Sequence, residues 1–424
     1  MIIGRDFMKL SKLIGEKIRA KIFSNEFKNF ARKRPEDFTR KRGMDFEEMM
    51  LHILISLKCS TIASLRKFFI SIGTSLFIAQ QSYSEARYKI RVEAFIDLFD
   101  TTATTMLENT KNAWHGYRIL AIDGTKISLP SDKKLLAHFG GLGKNKTATT
   151  AQGSILYDVL NDIIVDASIN PMKSDERSLA IEHLQKYAKI APNNKNLIIF
   201  DRGYPSFELI ELLESLGFTY VMRVKSKFNN DIDFQKETDG FVWLKQGDKR
   251  IHIRVIKFAL DSGEEEVLLT NLFDKRLGRA AFKKLYFLRW PVEIKYDIVK
   301  NKLELENFNT RTIEGIEQDF YATMFLTNFA ASCAIDVQYD IDEERNNKEN
   351  KYQQKANMNE LIGILKDRLV LALIQKHPKD MAEKIDSILD EIRRNTVPIK
   401  PNRSSPRDKT PHDKKYHHNH KSNC

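Results

Sequence analysis

The chain has 424 residues, 42% apolar and 30% charged, with 18 Gly and 11 Pro, a balance that excludes collagen-like, low-complexity and wholly disordered classes and allows about two to three cored domains. Its 69 Lys and Arg against 57 Asp and Glu give a formal charge of +12, which suits a polyanion partner such as nucleic acid and equally a merely basic soluble protein. The surplus is uneven: residues 1–48 and 400–424 each carry +5, leaving +2 for the 351 residues between them.

Apolar residues from Asp45 to about Lys111 recur every three or four positions, as in Phe46, Met49, Met50, Ile53, Leu54 and Leu57, which predicts an all-helical N-terminal region over 1–115. Within it Ser82–Lys89 reads as a capped helix with Arg87 and Lys89 on a solvated or a DNA-contacting face. At Gly116 the pattern changes. Tyr117–Thr125 is a buried-strand run ending in Asp123, and Gly153–Val159 with Asp162–Ile169 reads as a β-meander around Leu160-Asn161. Helix is expected over Ser174–Ile190. Asn196–Tyr204 repeats the theme of a buried strand ending in an acid, Asp201. Pro205–Leu216 follows as helix with Pro at its first position, then Phe218–Val224 as strand. Residues 116–225 therefore read as the first part of a mixed α/β sheet. Residues 226–275 read as a β-rich insertion and 276–335 as a return to helix that completes the core. Residues 336–398 read as a C-terminal helical region and 399–424 as a disordered basic tail.

Cys59, Cys333 and Cys424 give neither metal-ligand spacing nor a disulfide framework, which favours a reducing, cytoplasmic setting. The longest charge-free run, between Lys67 and Glu85, has 17 residues and is too short and polar to span a bilayer. The start lacks a signal-peptide layout. The glycine- and lysine-containing stretch Phe139–Thr147 misses the phosphate-loop spacing, so no nucleotide cofactor is indicated. It reads as a basic loop beside the site or a plain surface loop. Asp158, Asp162 and Asp166 read as turn or outward-face acids, and His412, His417, His418 and His420 as part of a solvated, DNA-attracting tail rather than a metal site.

Two carboxylates at neighbouring strand ends are costly to bury without a compensating cation, and Asp123 with Asp201 would suit Mg²⁺, which takes hard oxygen ligands and keeps positions open for phosphate and water. Either Asp alone also suits a turn after a strand. In Tyr286–Lys300 the residues Tyr286, Arg289, Glu293 and Lys300 fall at relative positions 0, 3, 7 and 14, steps that keep side chains on one helical face. Such a face offers an acid to a metal and cations to phosphates, or else simple intrahelical ion pairs. Pro291 should kink or restart that helix.

These residues resemble a known family. Tyr286, Arg289, Glu293 and Lys300 match the Y-x2-R-x3-E-x6-K signature of bacterial insertion-sequence transposases of the insertion-sequence-four type. Ile122-Asp123-Gly124-Thr125 and Phe200-Asp201-Arg202-Gly203-Tyr204 resemble that family's two Asp motifs. The resemblance implies a ribonuclease-H-like core in which Asp123, Asp201 and Glu293 form a DDE triad binding two Mg²⁺ ions, with Mn²⁺ as a substitute. It implies cleavage at the terminal inverted repeats of the element and strand transfer into target DNA. Tyr286, Arg289 and Lys300 would hold phosphates of double-stranded DNA. Arg202 would touch phosphate or pair with an acid, and Trp290 would stack on a base or fill a helix contact. A homodimer would join two ends in a synaptic complex near the nucleoid. A ribonuclease-H-superfamily nuclease that cuts without joining, or an inactive element-derived DNA-binding protein, would carry the same motifs.

Overall fold

The computed structural model describes residues 9–40, 43–55, 58–143, 146–191, 195–260, 263–345 and 352–400. The 401–424 part of the tail, with its four histidines, and the loop positions Lys144 and Asn145 lie outside the described residues. Six helices open the chain: α1 (Leu10–Ile22), α2 (Asn25–Ala31), α3 (Phe46–Ile55), α4 (Thr61–Ser71), α5 (Gln80–Tyr88) and α6 (Glu93–Asn109). There follow β1 (Arg118–Ser128), α7 (Lys133–Phe139), β2 (Gly141–Leu142), β3 (Ala148–Asp158), β4 (Ile163–Pro171), α8 (Glu176–Ile190), β5 (Asn196–Phe200), α9 (Phe207–Ser215), β6 (Thr219–Val224) and α10 (Asn230–Asp233). Next come β7 (Asp239–Gln246), β8 (Lys249–Ala259), β9 (Glu265–Thr270), α11 (Arg279–Phe287), α12 (Pro291–Asp297) and a π-helical turn, Ile298–Lys302. The last elements are α13 (Ile313–Arg345), β10 (Gln354–Ala356), α14 (Met358–Leu373), α15 (Pro378–Arg394) and β11 (Thr396–Pro398). The described residues of Met1–Asn109, Ser128–Thr149 and Val299–Cys424 form one compact unit, and those of Thr110–Ile127 and Thr150–Ile298 another.

The first unit is helical and centred on α13, against which α1, α3, α6 and α15 pack. By length and composition α13 could cross a membrane, but 78% of its apolar window is buried, the state of a core helix. α15 shows why such helices dock: Met381, Ile385, Ile388, Leu389 and Ile392 fall on one stripe and all are buried. The free N–H groups opening α1 are met from far along the chain, since Asp336 on α13 accepts from Leu10 N (2.9 Å) and Ser11 N (2.8 Å). Arg87, expected on a solvated or DNA-facing surface, is instead buried. Its guanidinium pairs with Asp319 (2.9 Å) and donates to Gln318 Oε1 (2.8 Å) and the Gly315 carbonyl (2.9 Å). The α5 helix also starts at Gln80 without a side-chain cap. Cys59 is buried, and Cys333 is a buried free thiol.

The second unit is built on a mixed sheet in the order β4-β3-β1-β5-β6-β9-β8-β7. β1 runs parallel to β5 and β5 to β6, while β4 is antiparallel to β3 and β9 to β6. Central parallel strands are covered on both faces and need unbroken apolar runs. Ile119 to Ile122 on β1 and all five residues of β5 are accordingly buried. Residues 226–275, read as a β-rich insertion, contain β7 to β9, and since β9 pairs with β6 these strands prolong the core sheet. The β7–β8 hairpin turns at Gly247, whose φ of +58° is open to glycine at little cost. Its outer face stacks Phe241, Trp243 and Phe273 about His252, with Arg250 over the Trp243 ring at 5.3 Å. α8 opens on Asp175, whose carboxylate accepts from Ser178 N. α9 is capped by Ser206, so Pro205 precedes the cap rather than holding the first helical position. Asp158 is a buried turn acid, accepting from Asn161 N (3.2 Å) in the β3–β4 turn and pairing with Arg118; Asp166 faces inward, not outward, and accepts from His183 Nδ1 (2.6 Å) and Lys186 Nζ (2.7 Å).

Candidate active site

Strand register sets the first part of the site. β1 and β5 pair from Arg118↔Asn196 to Ala121↔Ile199. Carried on by two residues at the same offset, this register sets Asp123 level with Asp201 on strands about 4.8 Å apart; Asp201 directly follows β5, but β1 does not end at its acid as expected and continues to Ser128. β5 and β6 pair Leu197↔Thr219 through Phe200↔Met222, which adds Arg223 to the row. In open α/β sheets ligands bind outside the carboxyl ends of the strands. The Asp123 carboxyl is partly buried, and its Oδ1 accepts from Gly124 N at 2.9 Å. Burial pushes its pKa up to about 6; Arg289 and the Gly124 N–H pull it down, while Glu293 and Glu176 add to the rise. Asp201 accepts a hydrogen bond from the Tyr286 hydroxyl at 3.1 Å.

The stretch expected to present a single helical stripe is broken twice. α11 ends at Phe287, and Pro291 restarts the chain as the first residue of α12, where its missing N–H costs nothing. After Asp297 the helix widens into the π turn. The segment from Tyr286 to Lys300 is therefore not one regular helix. Lys300 belongs to the other compact unit, where its Nζ lies 3.8 Å from Glu306. α12 itself is pinned at two places. Tyr296 donates its hydroxyl to the Asp123 carbonyl (2.7 Å), and buried Lys295 pairs with Asp162 (2.5 Å) at the β3–β4 turn. Glu293, in the first turn of α12, is thereby set near Asp123, and its Oε1 accepts from Arg289 Nη2 at 2.9 Å. Burial disfavours the Arg289 charge. The Glu293 hydrogen bond, with Tyr286 and Asp201 nearby, outweighs it and raises the guanidinium pKa.

The second unit thus brings together Asp123, Asp201, Glu293, Tyr286 and Arg289. Trp290 is 40% exposed, so it is not a core tryptophan, and the Arg289 guanidinium lies 5.6 Å from its ring centroid. Arg202 is exposed and forms no ion pair among the described residues. Other groups at the site were not singled out from the sequence. Tyr204 is 2% exposed, and its hydroxyl has no hydrogen-bond partner among the described residues. Burial raises its pKa, with Asp123, Glu176 and Asp201 adding to the effect. Glu266 on β9 lies 3.6 Å from Arg223, with its other carboxylate oxygen buried and unpartnered; burial raises its pKa, and Asp201 contributes. Glu176, in the first turn of α8, accepts from Gln152 Nε2 at 3.3 Å.

Among the described residues no three His, Cys, Asp or Glu side chains are grouped so as to hold a metal ion, and Glu293 is engaged by Arg289. The donor chemistry nonetheless fits a hard divalent cation. It consists of carboxylate oxygens, and at Asp123 the charged form is disfavoured by burial and by like charges, a penalty that a cation would relieve.

The second unit is a mixed α/β sheet with one acid, Asp123, inside a central parallel strand and another, Asp201, just past the end of its neighbour. The piggyBac transposase, solved by cryo-electron microscopy in a synaptic complex with hairpin DNA, aligns with a TM-score of 0.50 and 11% identity over 92% of this chain and 87% of that one. The fold is therefore ribonuclease-H-like. Residues 114–329 match the family model described as the transposase DDE domain. "Putative transposase y4zB" of Sinorhizobium fredii (strain NBRC 101917 / NGR234) is 24% identical over 265 residues, which are 58% of this chain and 68% of that protein. The chain belongs to the DDE-domain transposase family, whose members generally use divalent metal ions.

Proposed function

We propose that this transposase is of the insertion-sequence-four type, binds the terminal inverted repeats of its own element, cleaves at the element ends and transfers the strands into target DNA. The observation that carries the reading is the β1–β5 register, whose constant offset sets Asp123 opposite Asp201, with the Glu293 helix anchored on the Asp123 carbonyl. Asp123, Asp201 and Glu293 are the residues to hold two divalent ions, Mg²⁺ or Mn²⁺. Such ions, when bound, polarise a water or a 3′-hydroxyl and stabilise the leaving oxygen of a phosphodiester. The chain's own groups orient the acids. Tyr286 fixes Asp201 by donating to it, and Arg289 holds Glu293, so its guanidinium reaches a phosphate only when Glu293 turns away. Arg202 and Trp290, both exposed, are suited to a DNA strand, through phosphate contact and through base stacking. Lys300 and the basic chain ends are further phosphate contacts, with the N-terminal helices as the sequence-reading part. Two ends held together require a homodimer on double-stranded DNA, in the nucleoid of the cytoplasm.

Replacement of Asp123, Asp201 or Glu293 by Ala is expected to spare binding to an inverted-repeat duplex and abolish its cleavage. Cleavage retained in any one variant removes that residue from the triad. Pre-cleaved ends incubated with a plasmid target should give joined products. Cutting without joining would instead support a ribonuclease-H-superfamily nuclease.

A further inference from the structure

The strongest unassigned feature lies beside Asp123. Gly124 has no side chain, and a Cβ built there would stand 2.6 Å from Gln152 Nε2 and 3.1 Å from Glu176 Oε1. The Glu176 carboxylate therefore lies directly over the backbone that follows Asp123. Its position is fixed on two sides: Gln152 donates to it (3.3 Å), and its neighbour Arg177 donates to the Gly203 carbonyl (3.2 Å). That second bond ties the start of α8 to the turn 201–204, which is closed by Tyr204 N donating to Asp201 O at 3.1 Å. Tyr204 stands in the same turn, 2% exposed, its hydroxyl buried and without a partner among the described residues, and the charges acting on it are Asp123, Glu176 and Asp201, opposed by Arg289. A buried hydroxyl with no partner among the described residues, in the turn that follows Asp201, calls for an explanation, and a group bound beside it supplies one.

An acid in the first turn of a helix is ordinarily explained by the helix dipole alone, and that explanation predicts nothing about Gly124 or Tyr204. We propose that Glu176 is a fourth carboxylate of this site, supplying an oxygen to the divalent cation held by Asp123, and that the Tyr204 hydroxyl donates to an oxygen of the group bound there. The inference rests on the reading of Asp123 as a metal ligand, and the test separates the two.

The measurement is Mn²⁺ binding to the full-length protein without DNA, followed by water-proton relaxation, for the wild type and for Glu176→Gln, Glu176→Asp, Tyr204→Phe and Asp123→Asn. Glu176→Gln keeps the shape and can still accept from Gln152. It is expected to weaken Mn²⁺ binding at least about tenfold, with Glu176→Asp intermediate, Tyr204→Phe weakened less, and inverted-repeat duplex binding unchanged throughout. Wild-type affinity in Glu176→Gln, with binding lost in Asp123→Asn, overturns the fourth-carboxylate inference and leaves the proposed function standing. Equal binding in the wild type and Asp123→Asn, or none in either, overturns both. Should Glu176→Gln fail to fold, Glu176→Asp decides: wild-type affinity there, where the carboxylate is drawn back by one methylene, counts against the inference.

Discussion

Asp123→Asn should make the protein more stable while destroying its cleavage activity. The carboxyl is partly buried and its pKa is pushed from 3.8 up to about 6, so about two units at roughly 1.4 kcal/mol each give an upper bound of about 3 kcal/mol against the charged form at neutral pH. Solvent at the partly exposed group reduces this to about 1–3 kcal/mol. Asn keeps the Oδ1 acceptor for Gly124 N and removes only the charge. The sign follows from proton linkage. The folded state holds the Asp123 proton more tightly than the unfolded state, so stability gained by protonation is present below about pH 3.8 and is lost as the pH rises to about 6. The variant should match the wild type near pH 4 and exceed it by a plateau value above pH 6. Urea unfolding of both proteins in metal-free buffer across that range measures the difference. Added Mg²⁺ should stabilise the wild type and leave the variant unmoved, since only a protein that binds the ion gains from it. A variant no more stable than the wild type at pH 7.5 would refute the claim that burial sets this carboxyl.

Three further outcomes are expected. Asp319→Ala leaves Arg87 buried and uncompensated and should cost about 3–5 kcal/mol in urea unfolding; a loss under 1 kcal/mol would mean that Arg87 reaches solvent. His52, held between Tyr83 and Ser64 at 2.8 Å each, has its pKa lowered to about 3 by burial and then by Arg87, so stability should fall from about pH 6.5 downward as the unfolded chain takes the proton first. Removing the imidazole in His52→Gln should flatten that part of the pH–stability profile, and an unchanged slope would exclude it as the source. Tyr204→Phe deletes a buried, unpartnered hydroxyl and should raise metal-free stability by about 1–3 kcal/mol; destabilisation of that size would show that the hydroxyl has a partner.

The strands that carry Asp123 and Asp201 were legible because their surroundings are local, although β1 runs on beyond its acid to Ser128. Ile119–Ile122 and Leu197–Phe200 are apolar runs that only a buried strand needs, and each is followed by an Asp. The 78 residues separating Asp123 from Asp201 also separate the paired positions Arg118 and Asn196. Pro291 likewise announced its helix restart through a backbone rule that depends on no distant residue. What failed was decided elsewhere in the chain or by a competing local bond. Ser84 donates to the Gln80 carbonyl at 2.9 Å rather than capping a helix, so a hydroxyl-rich start misled the boundary. Arg87 reads as a surface charge until Asp319, 232 residues later, is folded against it. The insertion reads apart from the core because the β6–β9 pairing that joins it there reaches across α10, β7 and β8 in sequence.

Glu176 and Lys300 show the same limit from opposite sides. In one dimension Glu176 is an ordinary first-turn acid, and only α8 packing on the 201–204 turn brings it over Gly124. The glycine after Asp123 was the available signal, since a strand interior seldom spends a residue without a side chain unless something approaches closely. Lys300 sits at a helical multiple from Glu293, yet one π turn shifts every later side chain around the axis. Offsets in a motif thus fix which residues belong to a site only as far as the helix remains regular, and carboxylates that gather from separate elements must be found through the backbone that holds them.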